Sequence, residues 1–171
     1  MTRTTIHKGF TLIEALVYLA LFAILMGGAV VAAYNLFEAA ERDGTRVMLQ
    51  EEGDFLLAKI DWALSGAQSV TAPAAGSVGN ALTVAKWDTS LGSPMVVAQN
   101  GTNLTLTRGA GAATILNNTN VQVTGISFNH IKGSGDGTNP DSVVAVLTIA
   151  ARTPNGFLLT RIATTTVYMR R

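Results

Sequence analysis

From Ala15 to Phe37 the chain runs for 23 residues without a formal charge, and Glu38, Glu41, Arg42, Asp43 and Arg46 then end the run. As a helix rising about 1.5 Å per residue, such a stretch spans roughly 34 Å against a hydrocarbon core of about 30 Å. It predicts a membrane-crossing helix. Beyond Arg46 a helical stripe resumes. Met48, Phe55 and Trp62 recur every seventh residue, with Leu49, Leu56, Ile60 and Leu64 beside them. That spacing places one apolar face on a helix reaching about Ser65, with Gly66 as its stop. Gly44 and Gly53 each cost about 1 kcal/mol relative to alanine in a helix, which predicts bending near them.

After Gly66 the pattern changes period. Residues 67–91 are small and polar, with Pro73, Gly76 and Gly79, and read as a connection holding one strand at Ala81 to Trp87. Leu104 and Leu106 alternate with threonines. Val121 and Val123 do likewise until Gly125 shifts the phase to Ile126 and Phe128, as a β-bulge would. Val143 to Ala150 is apolar on both faces and rich in β-branched residues, which suits the centre of a sheet. Thr153-Pro154-Asn155-Gly156 supplies turn chemistry before a last strand from Phe157 to about Tyr168. The expected class is α+β: one long helix packed on an antiparallel sheet, with no internal repeat.

Composition narrows the function. With 171 residues the chain has room for one domain beyond the apolar helix. Its formal net charge is +1, and Lys86, Arg108, Lys132, Arg152 and Arg161 are scattered, which disfavours a nucleic-acid footprint. There is no cysteine, so no disulfide, thiol nucleophile or thiolate metal site. His7 and His130 stand apart, and no Ser-His-Asp arrangement or metal-ligand spacing can be written. His130 is expected to be a surface or packing residue. Neither Gly109-Ala110-Gly111 nor the Gly133 to Gly137 loop carries the lysine ending of a phosphate cradle. No catalytic residue and no cofactor are expected. Asp136, Asn139 and Asp141 offer oxygen ligands at short spacing, but a calcium ion takes six to eight, so a solvated turn is the competing account. Three Asn-x-Thr sequons begin at Asn100, Asn103 and Asn117, leaving glycosylation open.

Just before the apolar run stands Lys8-Gly9-Phe10-Thr11-Leu12-Ile13-Glu14, preceded by a short leader with Arg3 and His7. This motif, followed by about twenty apolar residues, resembles the class III signal of type IV prepilins and type II secretion pseudopilins. The resemblance covers roughly Lys8 to Ala33. It implies that a membrane aspartic peptidase, the prepilin peptidase, cuts between Gly9 and Phe10 and methylates the new amine of Phe10. The apolar helix then stays in the product, whereas a secretory signal cut after Val31-Ala32-Ala33 would be lost. Removing Arg3 and Lys8 leaves ten basic against eleven acidic residues. The implied organisation is a leader at 1–9, a transmembrane and assembly helix at 10–37, its extension on the sheet at 38–66, and a β-sheet region at 67–171.

The same resemblance implies a type IV pilin-like fold and a role in a filament. A carboxylate in an apolar segment costs about 2–3 kcal/mol at bilayer depth, so Glu14 needs a partner or a place near the membrane surface. The family implies that it pairs with the N-terminal amine of an adjacent subunit; a snorkelling or self-capping glutamate is the alternative. Partners would be other pilin or pseudopilin subunits, the peptidase and an inner-membrane assembly platform. The basic leader would hold its end in the cytoplasm, leaving the C-terminal region outside the inner membrane and later in the filament. Many type IV pilins carry a C-terminal disulfide and a proline in the anchor, whereas this chain has neither, only Gly27-Gly28, which permit local melting or close helix packing. It therefore looks more like a minor subunit. J-type minor pseudopilins and W-type minor pilins are similar in their Asp-x-x-Leu stretch, here Asp61 to Leu64, and in a cysteine-free β domain. A major pilin, or a DNA-uptake or adhesive tip module, is the alternative, and a membrane-anchored enzyme lacks a constellation to support it.

Overall fold

A computed structural model describes residues 11–134 and 140–169. The chain forms two compact units, Met1–Glu41 and Arg42–Arg171. Helix α1 is assigned without a break from Leu12 to Leu64 and supplies elements to both. Within the first unit it is uncovered: Leu12, Ile13, Leu19, Ile24, Tyr34 and Phe37 are all more than two-thirds exposed. The helix is long and apolar enough to cross a membrane, and none of the apolar window is buried.

In the second unit α1 meets two antiparallel sheets. The first has the order β1 (Ala67–Ala72), β3 (Ala81–Lys86), β4 (Met95–Asn100), β5 (Asn103–Arg108) and β6 (Thr114–Ile115). The second has the order β2 (Val78–Gly79), β7 (Val121–Ile131), β8 (Ser142–Arg152) and β9 (Leu158–Tyr168). The architecture is α+β and pilin-like, a long apolar N-terminal helix with its later part packed on antiparallel β-structure. The expected antiparallel β-structure divides into two sheets. Alternation tells which side chains of a strand are buried, and both sheets feed one core: Leu82, Val84, Met95, Val97 and Leu104 from the first, Val123, Phe128, Leu147 and Ile149 from the second.

The connection expected at 67–91 is also corrected, because β1 and β2 lie within it beside the expected β3. Strand β1, Ala-Gln-Ser-Val-Thr-Ala, is an edge strand whose pairing with β3 is shifted twice in register. Its backbone pairing makes it a strand; its small and polar side chains give no periodic signal. Strand β4 joins β5 through the two residues Gly101-Thr102, with Gly101 at φ +61° in the first turn position, where a type II′ hairpin calls for glycine. The bulge at Gly125 is present as a register shift between Val123 and Gly125 against β8. Strand β8 lies between β7 and β9, as its two-sided apolarity implies, and Gly156 at φ +84° closes the β8 to β9 turn.

The helix stripe needs one further correction. Leu49, Gly53, Leu56, Ile60, Ala63 and Leu64 are buried, while Phe55 is 45% and Trp62 37% exposed. The row centred on Met48, Phe55 and Trp62 is the flank of the buried face. Its midline passes through a glycine, where a Cβ would stand 3.2 Å from Ile149 Cδ1, so Gly53 serves close approach to β8, and the helical assignment continues through it. The flanking rings carry cations instead: Lys59 sits 5.2 Å from the Phe55 centroid, and Arg108 5.0 Å and Lys86 5.6 Å from that of Trp62.

Polar contacts fasten the helix to the sheets. Lys86 is buried and donates from Nζ to the Trp62 carbonyl at 3.1 Å and to that of Ser65, so a cation meets the negative end of the helix dipole. Its burial lowers the pKa from the ordinary lysine value. Glu52 accepts from the Asn118 backbone N–H at 2.8 Å and from its Nδ2 at 2.9 Å, and Arg161 meets Asp54 at 3.1 Å. Asn117, 8% exposed, accepts from the Leu104 N–H at 2.8 Å and donates to the Val121 carbonyl at 2.7 Å. Asn117→Ala leaves those two backbone groups without their side-chain partner, each worth about 1–3 kcal/mol when buried and unmade. Calorimetry of the purified protein is expected to show a loss of about 2–4 kcal/mol, or roughly 7–15 °C in melting midpoint.

Candidate assembly site on the first helix

The first turn of α1 is organised by Thr11. Its Oγ1 accepts from the Glu14 backbone N–H at 3.3 Å, and its carbonyl accepts from the Ala15 N–H at 3.2 Å. Thr11 and Glu14 thus have the spacing and the first hydrogen bond of a capping box, which satisfies one of the orphan N–H groups of a helix start. Glu14 lies in that turn, where the helix dipole favours an anion. Its Oε1 accepts from the Tyr18 hydroxyl one turn on, at a long 3.5 Å. The carboxylate is exposed among exposed apolar side chains.

This geometry leaves Glu14 oriented and reachable. A carboxylate with one weak local partner keeps acceptor sites for a donor from outside the chain. Thr11 and Tyr18 were not singled out by the apolar pattern. The signals for them are Thr-x-x-Glu before an apolar run and the spacing of four between Glu14 and Tyr18. Gly9 and Phe10, the expected cleavage pair, lie outside the described residues. Gly27 and Gly28 have open space where a Cβ would stand, so a neighbouring helix could approach both closely.

The remaining candidates fall into different places. Of the calcium set, Asp136 and Asn139 lie outside the described residues. Asp141 accepts from the Gly133 N–H at 2.6 Å through Oδ1, and its carbonyl accepts from the Met169 N–H at 2.8 Å, so it closes the loop between β7 and β8 and ties down the end of β9. Among the described residues no group of three or more His, Cys, Asp or Glu could hold a metal ion. His130 is 3% exposed and packs in the interior. The sequons separate too. Asn117 is occupied by its buried hydrogen bonds, Asn103 is half-buried, and Asn100 is exposed at the end of β4. Four of the five scattered cations are individually engaged: Lys86 on helix carbonyls, Arg161 on Asp54, Arg108 over Trp62 and Arg152 on the Gly156 carbonyl.

Comparison with known proteins bears on the N-terminal segment. The family model for the prokaryotic N-terminal methylation motif matches residues 6–30, which include Gly9, Phe10, Glu14, Gly27 and Gly28. The motif supports the prepilin and pseudopilin family. No curated protein and no solved structure matches the chain.

Proposed function

We propose that this chain is a structural subunit of a type IV pilus or a type II secretion pseudopilus, held in the inner membrane by α1 and then packed through it into a filament. One observation carries the reading: the methylation motif coincides with the start of an exposed apolar helix long enough to cross a membrane. Its exposed surface must be covered by lipid before assembly and by neighbouring helices after it. Glu14 is the charged exception on that apolar surface, and the new amine of Phe10 on an adjacent subunit is its partner. Prepilin peptidase and other pilin subunits follow as partners from the same motif.

Within that reading the subunit is a minor one that primes the filament or sits at its tip. Support comes from the sequence: there is no cysteine, no proline before Pro73, and the Asp61 to Leu64 stretch is similar to that of J-type and W-type subunits. A priming subunit works in few copies, because it lowers the cost of starting a filament built from another chain. Deletion is therefore expected to reduce filament number far more than it alters the composition of those still made. Quantitative mass spectrometry of purified filaments should find the chain scarce beside the dominant subunit. Finding it the most abundant subunit would replace the minor role with that of a major pilin.

A further inference from the structure

The two sheets end in four strand edges, and three of them are closed or blunted. Strand β1 is shifted twice in register against β3, and β6 is two residues long. On one side of the second sheet β2 pairs with β7, whose edge is further bonded by backbone groups of Gly76, Ser77 and Thr102 and by the Gln99 and Asn117 side chains. Such devices keep an edge from pairing with another chain.

Strand β9 has none of them. It runs 11 residues in unbroken register with β8 and contains neither proline nor lysine. It ends the sheet, and among the described residues no group beyond β8 bonds its backbone, so alternate N–H and C=O groups face outward unpaired. Its single charge, Arg161, turns to the helix side and is held by Asp54 at 3.1 Å. The inner face is also less covered there. Val143, Ala145, Leu147 and Ile149 of β8 are fully buried, whereas Leu159, Thr165 and Val167 of β9 are half-buried, and a further strand beside β9 would shield them.

An unpaired edge takes an extended backbone, and side chains then decide which one. On the outer face β9 presents Leu158, Thr160, Ile162, Thr164, Thr166 and Tyr168, all exposed and uncharged. This strand is its own complement. Two β9 strands placed antiparallel about Ala163 overlap over their whole length and set Ile162 against Thr164, Thr160 against Thr166 and Leu158 against Tyr168. Arg161 then faces Thr165, so no charge meets its like. The contact is isologous and closes at two copies instead of growing into a fibre, whereas the short or shifted edges of β1, β2 and β6 offer no match of equal length. We propose that β9 pairs with β9 of a second copy of this chain, joining two four-stranded sheets into one of eight strands. The pairing makes no use of α1, and it needs only two copies, which is compatible with a subunit of low abundance.

The chain has no cysteine, so single thiols report the register. Full-length Thr160→Cys and Thr166→Cys chains, one of them isotopically labelled, are mixed in detergent and treated with a short bismaleimide. Both threonines are exposed, so the fold should tolerate either change. In the proposed pair, position 160 lies opposite position 166 of the other copy and roughly 20 Å from its own counterpart, at about 3.3 Å per residue. The mixed dimer, read by intact mass, is therefore expected to exceed the dimer of either chain with itself at least tenfold. Adding Ile162→Lys and Thr164→Lys to both chains sets like charges opposite each other and should remove the mixed dimer without moving the melting midpoint. The same mixed dimer is expected in cells that express both thiol chains. The proposal is overturned if no dimer cross-links, if the mixed dimer forms only in the statistical ratio that contact through the apolar helices would give, if the lysine variants cross-link like their parents, or if the thiols in cells capture only a different protein.

Discussion

Glu14→Ala is expected to insert and be processed normally, yet to enter filaments roughly 30- to 140-fold less well than the unchanged chain when the two compete. The magnitude follows from about 2–3 kcal/mol for leaving a neighbour's amine without its anion in an apolar environment, at 1.4 kcal/mol per factor of ten. Glu14→Asp should be milder, since the charge is kept and only its reach shortens. The capping bond does not depend on the Glu14 carboxylate, because Thr11 accepts from the Glu14 backbone N–H. A loss of assembly with an unchanged helix therefore isolates the carboxylate. Equal incorporation of both chains in one cell, measured by mass spectrometry of sheared filaments, would show that Glu14 does not direct assembly.

Blocking the cut at Gly9 should have a still larger effect. Gly9→Leu is expected to leave the leader attached, so that intact mass of the membrane-extracted protein retains residues 1–9 and lacks the added methyl group. Two charges, Arg3 and Lys8, then precede the anchor, and Phe10 has no free amine for a neighbour's Glu14 to meet. Incorporation should fall below detection. The unchanged chain should begin at methylated Phe10. Material beginning at Met1 or near Tyr34, from a host with active peptidase, would remove the basis for the processing assignment.

The anchor was legible because a membrane demands length and the absence of charge together, and chance seldom supplies both over 23 residues. Strand β7 was legible because it packs a face on the core and so alternates, β8 because it is apolar throughout, and β9 because the Thr153 to Gly156 turn announces a returning strand. Strand β1 was hidden because an edge is held by backbone hydrogen bonds that leave no trace in side-chain polarity. The division into two sheets was hidden for a related reason. Inward side chains of both sheets meet the same core, and hydropathy does not say which strand lies beside which. Gly53 reversed the usual inference, since the absent side chain marks a close approach of the helix to Ile149 rather than a place to bend. In the assembly site Glu14 announced itself as a charge among apolar residues. Thr11 and Tyr18, which cap the turn and touch its carboxylate, look ordinary in polarity.

The two tryptophans occupy contrasting surroundings, and this gives the molecule a built-in optical reporter. Trp62, flanked by Lys86 and Arg108 at the end of α1, emits from a partly shielded and strongly cationic niche, whereas Trp87 emits from near-aqueous surroundings just past β3. Detachment of the helix end from the sheets should shift the first component toward the red and leave the second almost unchanged. A single emission spectrum therefore follows loosening of the helix end against an internal reference carried by the same chain.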